Sequence, residues 1–206
     1  MNLWHVFSGG ELKDAGFIKI SAADTVICAD SGLVHAEKSG ISPDIVIGDF
    51  DSYSGILPEN AEIIRSVPEK DDSDTMLAVK TAIERGAEEI RIYGALGGRF
   101  DHAFANVQTL KYAMDRGCRA VLIDSENEIM LAEAGNHRFQ RREESYFSVF
   151  SYSEQLNVVR LSGVKYPLEN RVLTASFPLG LSNEITGAYA ELEIGYGTAL
   201  IIFSKK

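Results

Sequence analysis

At 206 residues the chain has room for one large domain or two small ones. Its 45% hydrophobic and 24% charged content is that of a soluble globular protein, and 30 Asp+Glu against 20 Lys+Arg, net −10, exclude a broad nucleic-acid or anionic-membrane surface while allowing a local basic pocket. Cys28 and Cys118 stand in apolar, strand-like settings without CxxC spacing, Met1 to Val6 carry no basic segment leading into a long apolar run, and no apolar stretch is long enough to cross a membrane, so buried thiols in a reducing cytoplasm are expected.

Taken in order, Leu3 to Phe7 reads as a first strand closed by Ser8-Gly9-Gly10, and Thr25 to Ala29 as a second, ending in Asp30-Ser31-Gly32. Residues 11–20 carry no clear pattern. Leu33 to Ser39 suggests a short helix stopped by Gly40. The β-branched run Ile45-Val46-Ile47 is a third strand, and Ile63-Ile64 belong to a fourth that ends at Val67-Pro68. Met76, Leu77, Val79, Lys80 and Ile83 recur with helical period up to Gly86. Glu89 to Tyr93 is the next strand, and Gly94 to His102 a glycine-rich loop. Phe104, Val107, Leu110 and Met114 mark a further helix ended by Gly117, followed by a strand over Ala120 to Ile123. This alternation predicts an α/β domain over residues 1–127 with a mostly parallel sheet, whose ligands bind outside the carboxyl ends of the strands. Beyond it, Tyr146 to Phe150, Val158 to Leu161, Arg171 to Leu173, Ala190 to Ile194 and Ala199 to Phe203 are short strand-like runs punctuated by Gly and Pro. Residues 128–206 therefore read as a small antiparallel all-β domain, a sandwich or barrel.

The stretch Asp44 to Ser52 looks like the one around which the chain is organised. In an extended backbone side chains at i and i+2 share a face, so Asp49 and Asp51 would project together from the end of the third strand. Like charges that close need a cation between them or a shared proton, and a hard, oxygen-seeking ion such as Mg²⁺ answers best. Asp71, Asp72 and Asp74 form a second acidic group at a helix start; capping and the helix dipole account for one or two of them, but not for three in four positions. In Gly94-Ala95-Leu96-Gly97-Gly98-Arg99-Phe100-Asp101-His102 the glycines allow close backbone approach, the helix start offers N–H groups to an anion, and Arg99 adds a fork suited to phosphate. His102 fits either a site role or a structural hydrogen bond. Acids facing such a cradle describe phosphoryl or diphosphoryl transfer; there is no P-loop lysine motif and no protein-kinase signature set.

In order along the chain, Asp30-Ser31-Gly32, Gly48-Asp49-Phe50-Asp51-Ser52, Pro68 with Lys70-Asp71 and Asp74, Gly97-Gly98-Arg99 with Asp101-His102, and Leu181-Ser182-Asn183-Glu184 together resemble the thiamine pyrophosphokinases, over essentially the whole chain. The resemblance implies transfer of diphosphate from ATP to the thiamine hydroxyl with release of AMP, an ATP-binding α/β catalytic domain, a β domain contributing to thiamine binding, and a homodimer with active sites between subunits. It implies Asp49, Asp51 and Asp74 as Mg²⁺ ligands, Asp30, Arg99, Asp101 and His102 around ATP, Lys70 and Asp71 where ATP and thiamine meet, and Ser182-Asn183 at thiamine. Ser31 and Ser73 stand where the family often has Gly and Thr. Asp71 is the candidate acceptor of the hydroxyl proton, and Arg99 the group that grips the phosphates. Two alternatives carry different chemistry. In a haloacid-dehalogenase-type phosphatase the first Asp of the Asp-x-Asp pair would be a nucleophile. A non-catalytic nucleotide or thiamine diphosphate binder would form no AMP.

Overall fold

Strand β1 (Leu3–Phe7) lies between β2 (Thr25–Ala29) and β5 (Glu89–Tyr93), paired parallel with both, in registers that set Phe7 beside Cys28 and Tyr93. Outward from β2 follow β3 (Ile45–Gly48) and β4 (Glu62–Arg65), and outward from β5 lies β6 (Arg119–Ile123), giving the order β4-β3-β2-β1-β5-β6. The near-continuous apolar runs of β2 and β3 follow from burial on both faces, as parallel sheets require, whereas the edge strand β4 is only partly buried. Helix α1 (Gly32–Lys38) joins β2 to β3, α2 (Asp74–Glu84) joins β4 to β5, and α3 (Phe100–Met114) joins β5 to β6. Phe7, Val26, Cys28, Leu33, Ala36, Val46 and Tyr93 form one core cluster, with Leu12, Ile18 and Ile20 of the β1–β2 connection packed against it. Burying a side chain such as Phe7 or Leu33 fully contributes roughly 1.5–3 kcal/mol. Burial makes both thiols poorly acidic: Cys28 is pushed up to about 12 and Cys118 to about 11.

The computed structural model describes residues 2–50, 53, 55–66 and 72–206. It forms two compact units, Met1–Ser125 and Glu126–Lys206; the boundary expected from sequence was 127/128. In the second unit β7 (Asn127–Ala132), β13 (Ala199–Lys205) and β9 (Ser145–Ser151) pair antiparallel in the order β7-β13-β9. A four-stranded antiparallel sheet, β11-β10-β12-β8, is built from β11 (Leu168–Thr174), β10 (Gln155–Ser162), β12 (Tyr189–Tyr196) and β8 (Gly135–Gln140). Phe139 of β8, Phe147 of β9 and Phe203 of β13 meet at ring-centroid distances of 5.0–6.2 Å, so aromatic packing joins the two sheets of this unit.

Three expectations need correction, and a fourth falls outside the described residues. β7 and β8 were not anticipated, because β8 (Gly-Asn-His-Arg-Phe-Gln) is mostly exposed and lacks an apolar run. α3 begins at Phe100, so Asp101 and His102 belong to its first turn and not to the loop before it. β4 is confined to Glu62–Arg65, and the expected end at Val67-Pro68 lies outside the described residues. β3 is second from the sheet edge, so the chain is organised around β1 instead.

Candidate active site

Along the sheet the chain steps from β1 through β2 and β3 to β4, then crosses back to β5 on the other side of β1. The loops after β1 and β5 therefore diverge and leave a crevice at the carboxyl rim, where open α/β sheets bind ligands. A cleft of about 460 Å³ occupies that position. Ser8-Gly9-Gly10-Glu11 line one wall and Gly94, Ala95 and Gly97 to Arg99 the other; Asp30, Ser31, Asp74, Thr75, His102 and Asn106 are among the rest of the lining. The walls are tied to each other by backbone bonds from Ser8 N–H to Tyr93 O and from Gly10 N–H to Gly94 O, both 2.8 Å. Glycine is required at the join: a Cβ on Gly10 would lie 2.5 Å from the Gly94 carbonyl oxygen, and Gly94 itself takes φ +63°.

The expected site residues divide into four groups. Asp30, Asp74, Arg99 and His102 line this cleft, and Asp101, outside the lining, pairs with Arg99. Asp30 has φ +47°, a left-handed conformation that Asp tolerates better than most side chains. Asp49 follows β3, and the next residue, Phe50, has φ +62°. The backbone is thus no longer extended at Phe50. Asp51, Lys70 and Asp71 lie outside the described residues. Ser182 and Asn183 belong to the second unit.

One serine connects two of the acidic segments. Ser66, just after β4, donates its N–H to Gly48 O at 3.0 Å and its hydroxyl to Asp74 Oδ1 at 3.3 Å. The residue before Asp49 and the first residue of α2 are thereby drawn together. Around Asp74 the acid density is partly answered by protein groups: Lys80 Nζ sits 2.7 and 2.5 Å from the Asp72 carboxylate, and the Ser73 side chain accepts from Met76 N–H at 3.2 Å as N-cap. The density of acids here thus has a cation from the protein itself in Lys80. Among the described residues no group of three or more His, Cys, Asp or Glu side chains is close enough to hold a metal ion. Through Ser66 the Asp74 carboxylate is linked to the backbone just before Asp49, and carboxylate oxygens are the donors a hard divalent cation takes.

Arg99 and Asp101 form a two-toothed pair, Nε to Oδ1 at 3.1 Å and Nη2 to Oδ2 at 2.5 Å. The Arg99 hydrogen bond holds the Asp101 carboxyl below its usual range, and the pairing raises Arg99 further. Asp101 Oδ1 also accepts from His102 N–H at 3.0 Å, closing the first turn of α3. Both side chains are largely exposed, 73% and 63%, so the pair contributes little stability. It does aim the guanidinium: Nη1 takes no part in the fork and stays available to an incoming anion.

In the second unit Ser182 is exposed with φ +55°, and its N–H donates to Ser148 Oγ at 2.9 Å. Asn183 is only 5% exposed. Its Oδ1 accepts from Tyr166 N–H (3.0 Å) and Glu184 N–H (2.9 Å), and its Nδ2 donates to Tyr166 O (2.8 Å). Glu184 is held by Lys206 at 2.6 Å and Lys165 at 3.1 Å, which keep its carboxyl below the usual range. Sequence reading missed Ser66, His35, Thr75 and Asn106 as site-building residues; only Ser8-Gly9-Gly10, a glycine pair at the end of the first strand, carried a readable signal.

Fold and cleft define an α/β protein with a glycine-lined, acid-rimmed pocket at a sheet switch point, followed by an antiparallel β unit. The family model for the thiamin pyrophosphokinase catalytic domain matches residues 19–122, and that for the thiamin pyrophosphokinase vitamin B1 binding domain matches residues 136–197. The chain is 32% identical to the thiamine pyrophosphokinase of Bacillus subtilis (strain 168), over 86% of each chain. The crystal structure of a Bacillus subtilis thiamine pyrophosphokinase superposes with TM-score 0.91 at 28% identity, covering all of both chains. That of an Enterococcus faecalis thiamin pyrophosphokinase family protein superposes with TM-score 0.88, also at 28% and full coverage. The yeast thiamin pyrophosphokinase shares the fold at 14% identity, TM-score 0.76, over 100% of this chain and 86% of its own. The chain belongs to the thiamin pyrophosphokinase family.

Proposed function

We propose that the chain catalyses the reaction its family is named for, moving diphosphate from ATP to the hydroxyl of thiamine to give thiamine diphosphate and AMP. The observation that carries this reading is the glycine-walled cleft between the ends of β1 and β5, rimmed by Asp30, Asp74 and Arg99. In that cleft the triphosphate would lie against backbone that no side chain shields. Arg99, steered by Asp101, would take up charge on the phosphates through Nη1. Asp30 and His102 would orient the nucleotide. The thiamine oxygen would bond to the β-phosphorus as the bond from that phosphorus to the α–β bridging oxygen breaks, and AMP would leave with the bridging oxygen. The hydroxyl proton would pass to a carboxylate, for which Asp71 is the candidate, with Lys70 beside it where the two substrates meet.

Asp49, Asp51 and Asp74 would hold Mg²⁺; the coupling of two of these segments through Ser66 supports that set. When bound, the ion supplies neutralisation of negative charge on the phosphate oxygens. In the second unit, Ser182 is the side chain that would meet thiamine, with Asn183 shaping the turn beneath it. A homodimer with active sites at the subunit interface, in the cytoplasm, completes the proposal; the described residues contain no helix long and apolar enough to cross a membrane. Neither a phosphatase nor a non-catalytic binder is favoured by any observation, and the Asp-x-Asp pair follows the third strand rather than the first.

Incubation with ATP, Mg²⁺ and thiamine tests this directly. AMP and thiamine diphosphate in equal amounts, read by mass spectrometry, are expected. Orthophosphate release without thiamine diphosphate would point to the phosphatase, and nucleotide binding without AMP to the binder.

A further inference from the structure

Each of the three helices of the first unit lends a polar side chain to the backbone or hydroxyl groups that build the cleft walls. From α3, Asn106, 6% exposed, donates Nδ2–H to Ala95 O at 2.8 Å. From α2, the Thr75 hydroxyl donates to Ser8 Oγ at 2.9 Å. From α1, His35 Nε2 lies 2.6 Å from Gly10 O. A carbonyl oxygen can only accept, so the Nε2 proton of His35 is assigned by its partner. Asn106 and Thr75 face the cleft as well as the wall. His35 is different: it stands behind the Gly9-Gly10 turn, outside the lining, and touches ligand space only through the backbone it holds.

Gly10 is fixed on both sides of its residue, its N–H by Gly94 O and its carbonyl by His35. The ring also reaches the opposite wall: a Cβ on Gly94 would lie 3.3 Å from His35 Cδ2. One imidazole therefore reinforces, from a side chain, the place where backbone bonds join the two walls. A glycine pair without such a brace would sample many backbone conformations, and a ligand would have to order it on binding.

We infer that His35 is a positioning residue for the nucleotide cleft, holding the Gly9-Gly10 wall in the conformation that receives the phosphates. This inference rests on the proposal that the cleft takes ATP. His35 is only partly buried, so its replacement leaves the core of α1, Leu33 and Ala36, in place.

The experiment compares His35→Asn and His35→Gln with the parent enzyme, measuring KM for ATP and for thiamine, kcat, the Kd of a non-hydrolysable ATP analogue, and Tm. In His35→Asn the amide nitrogen ends near the position of Nδ1 and falls short of Gly10 O, whereas in His35→Gln it reaches about as far as Nε2. Losing the donor to this half-buried carbonyl is expected to raise KM for ATP and the analogue Kd about tenfold in His35→Asn. KM for thiamine should stay unchanged, kcat within about twofold, and His35→Gln should recover most of the loss. Equal KM and Kd for ATP in both variants and the parent, whatever happens to Tm, would overturn the inference. A parent enzyme that binds no analogue and forms no AMP would instead overturn the reading of the cleft. Should His35→Asn fail to fold, His35→Leu replaces it, with the same expected rise.

Discussion

The Gly97–Asp101 segment and the Leu181–Glu184 turn each present a short polar motif, yet the molecule uses them in opposite ways. At the rim of the parallel sheet the side chains point outward: Arg99 is 73% exposed, aimed by Asp101 and free of the core. In the β unit Asn183 is 5% exposed and its amide is engaged by Tyr166 and Glu184. The first motif is presented to solvent where α3 begins; in the second Asn183 is itself the support, while Leu181 and Ser182 are exposed. A motif names the residues that matter to a site, and burial decides which of them meet the ligand and which hold the others in place.

Four results would break or sharpen this contrast. The largest effect is expected at the acids: Asp49→Asn should lower kcat by about 100-fold or more while leaving the unfolding midpoint in place, because a carboxylate at the phosphates acts on the transition state and not on the core. Near-normal turnover at saturating Mg²⁺ would remove Asp49 from the site. Next, Arg99→Ala should raise KM for ATP about 10–100-fold with little change in stability, since an exposed ion pair contributes at most about 1 kcal/mol. Asn183→Ala should do the reverse. Leaving Tyr166 and Glu184 backbone groups without partners should cost about 2–4 kcal/mol in urea unfolding, and KM for ATP should not move. If Asn183→Ala keeps full stability and loses only thiamine affinity, the contrast between the two motifs fails.

The smallest effect concerns a buried group far from either motif. His5 is 0% exposed, 3.0 Å from Tyr93 Oη through Nδ1 and 3.2 Å from Asp24 through Nε2. Burial lowers its pKa from 6.5, against the opposing pull of Asp24. The unfolded chain therefore binds the proton more readily than the folded one. Stability from this source is complete above pH 6.5 and declines as pH falls from there towards the folded value. Urea unfolding of the parent should show a decline between about pH 7 and 5, and His5→Gln a flatter profile over the same range.

Much of the fold was legible because its signals are local. Ile45-Val46-Ile47, Glu89 to Tyr93 and the Gly40, Gly86 and Gly117 stops each carry their own pattern, and the elements stand where those patterns put them. β8 was not legible: an exposed strand needs only a partner in β12, and that pairing lies some fifty residues away in sequence. The candidate site was legible as a set of acids and an Arg–Gly loop, but the glycine-walled cleft between two strands was not. Sequence pointed to the end of β3, because Asp-Phe-Asp is conspicuous there, while the cleft opens between β1 and β5, where strand order reverses. Strand order is a long-range property, and neither Ser8-Gly9-Gly10 nor His35 announces it. Likewise the i, i+2 rule for Asp49 presumed an extended chain, and the left-handed Phe50 ends the strand's geometry at that point.

The cleft can be tested most directly by a crystal structure with α,β-methylene-ATP, Mg²⁺ and thiamine, since the methylene bridge blocks the transfer and holds both substrates. The phosphates should lie between Ser8-Gly9-Gly10 and Gly97-Gly98-Arg99, with Asp74 at the metal. Nucleotide bound elsewhere on the molecule, with those two walls untouched, would contradict the account.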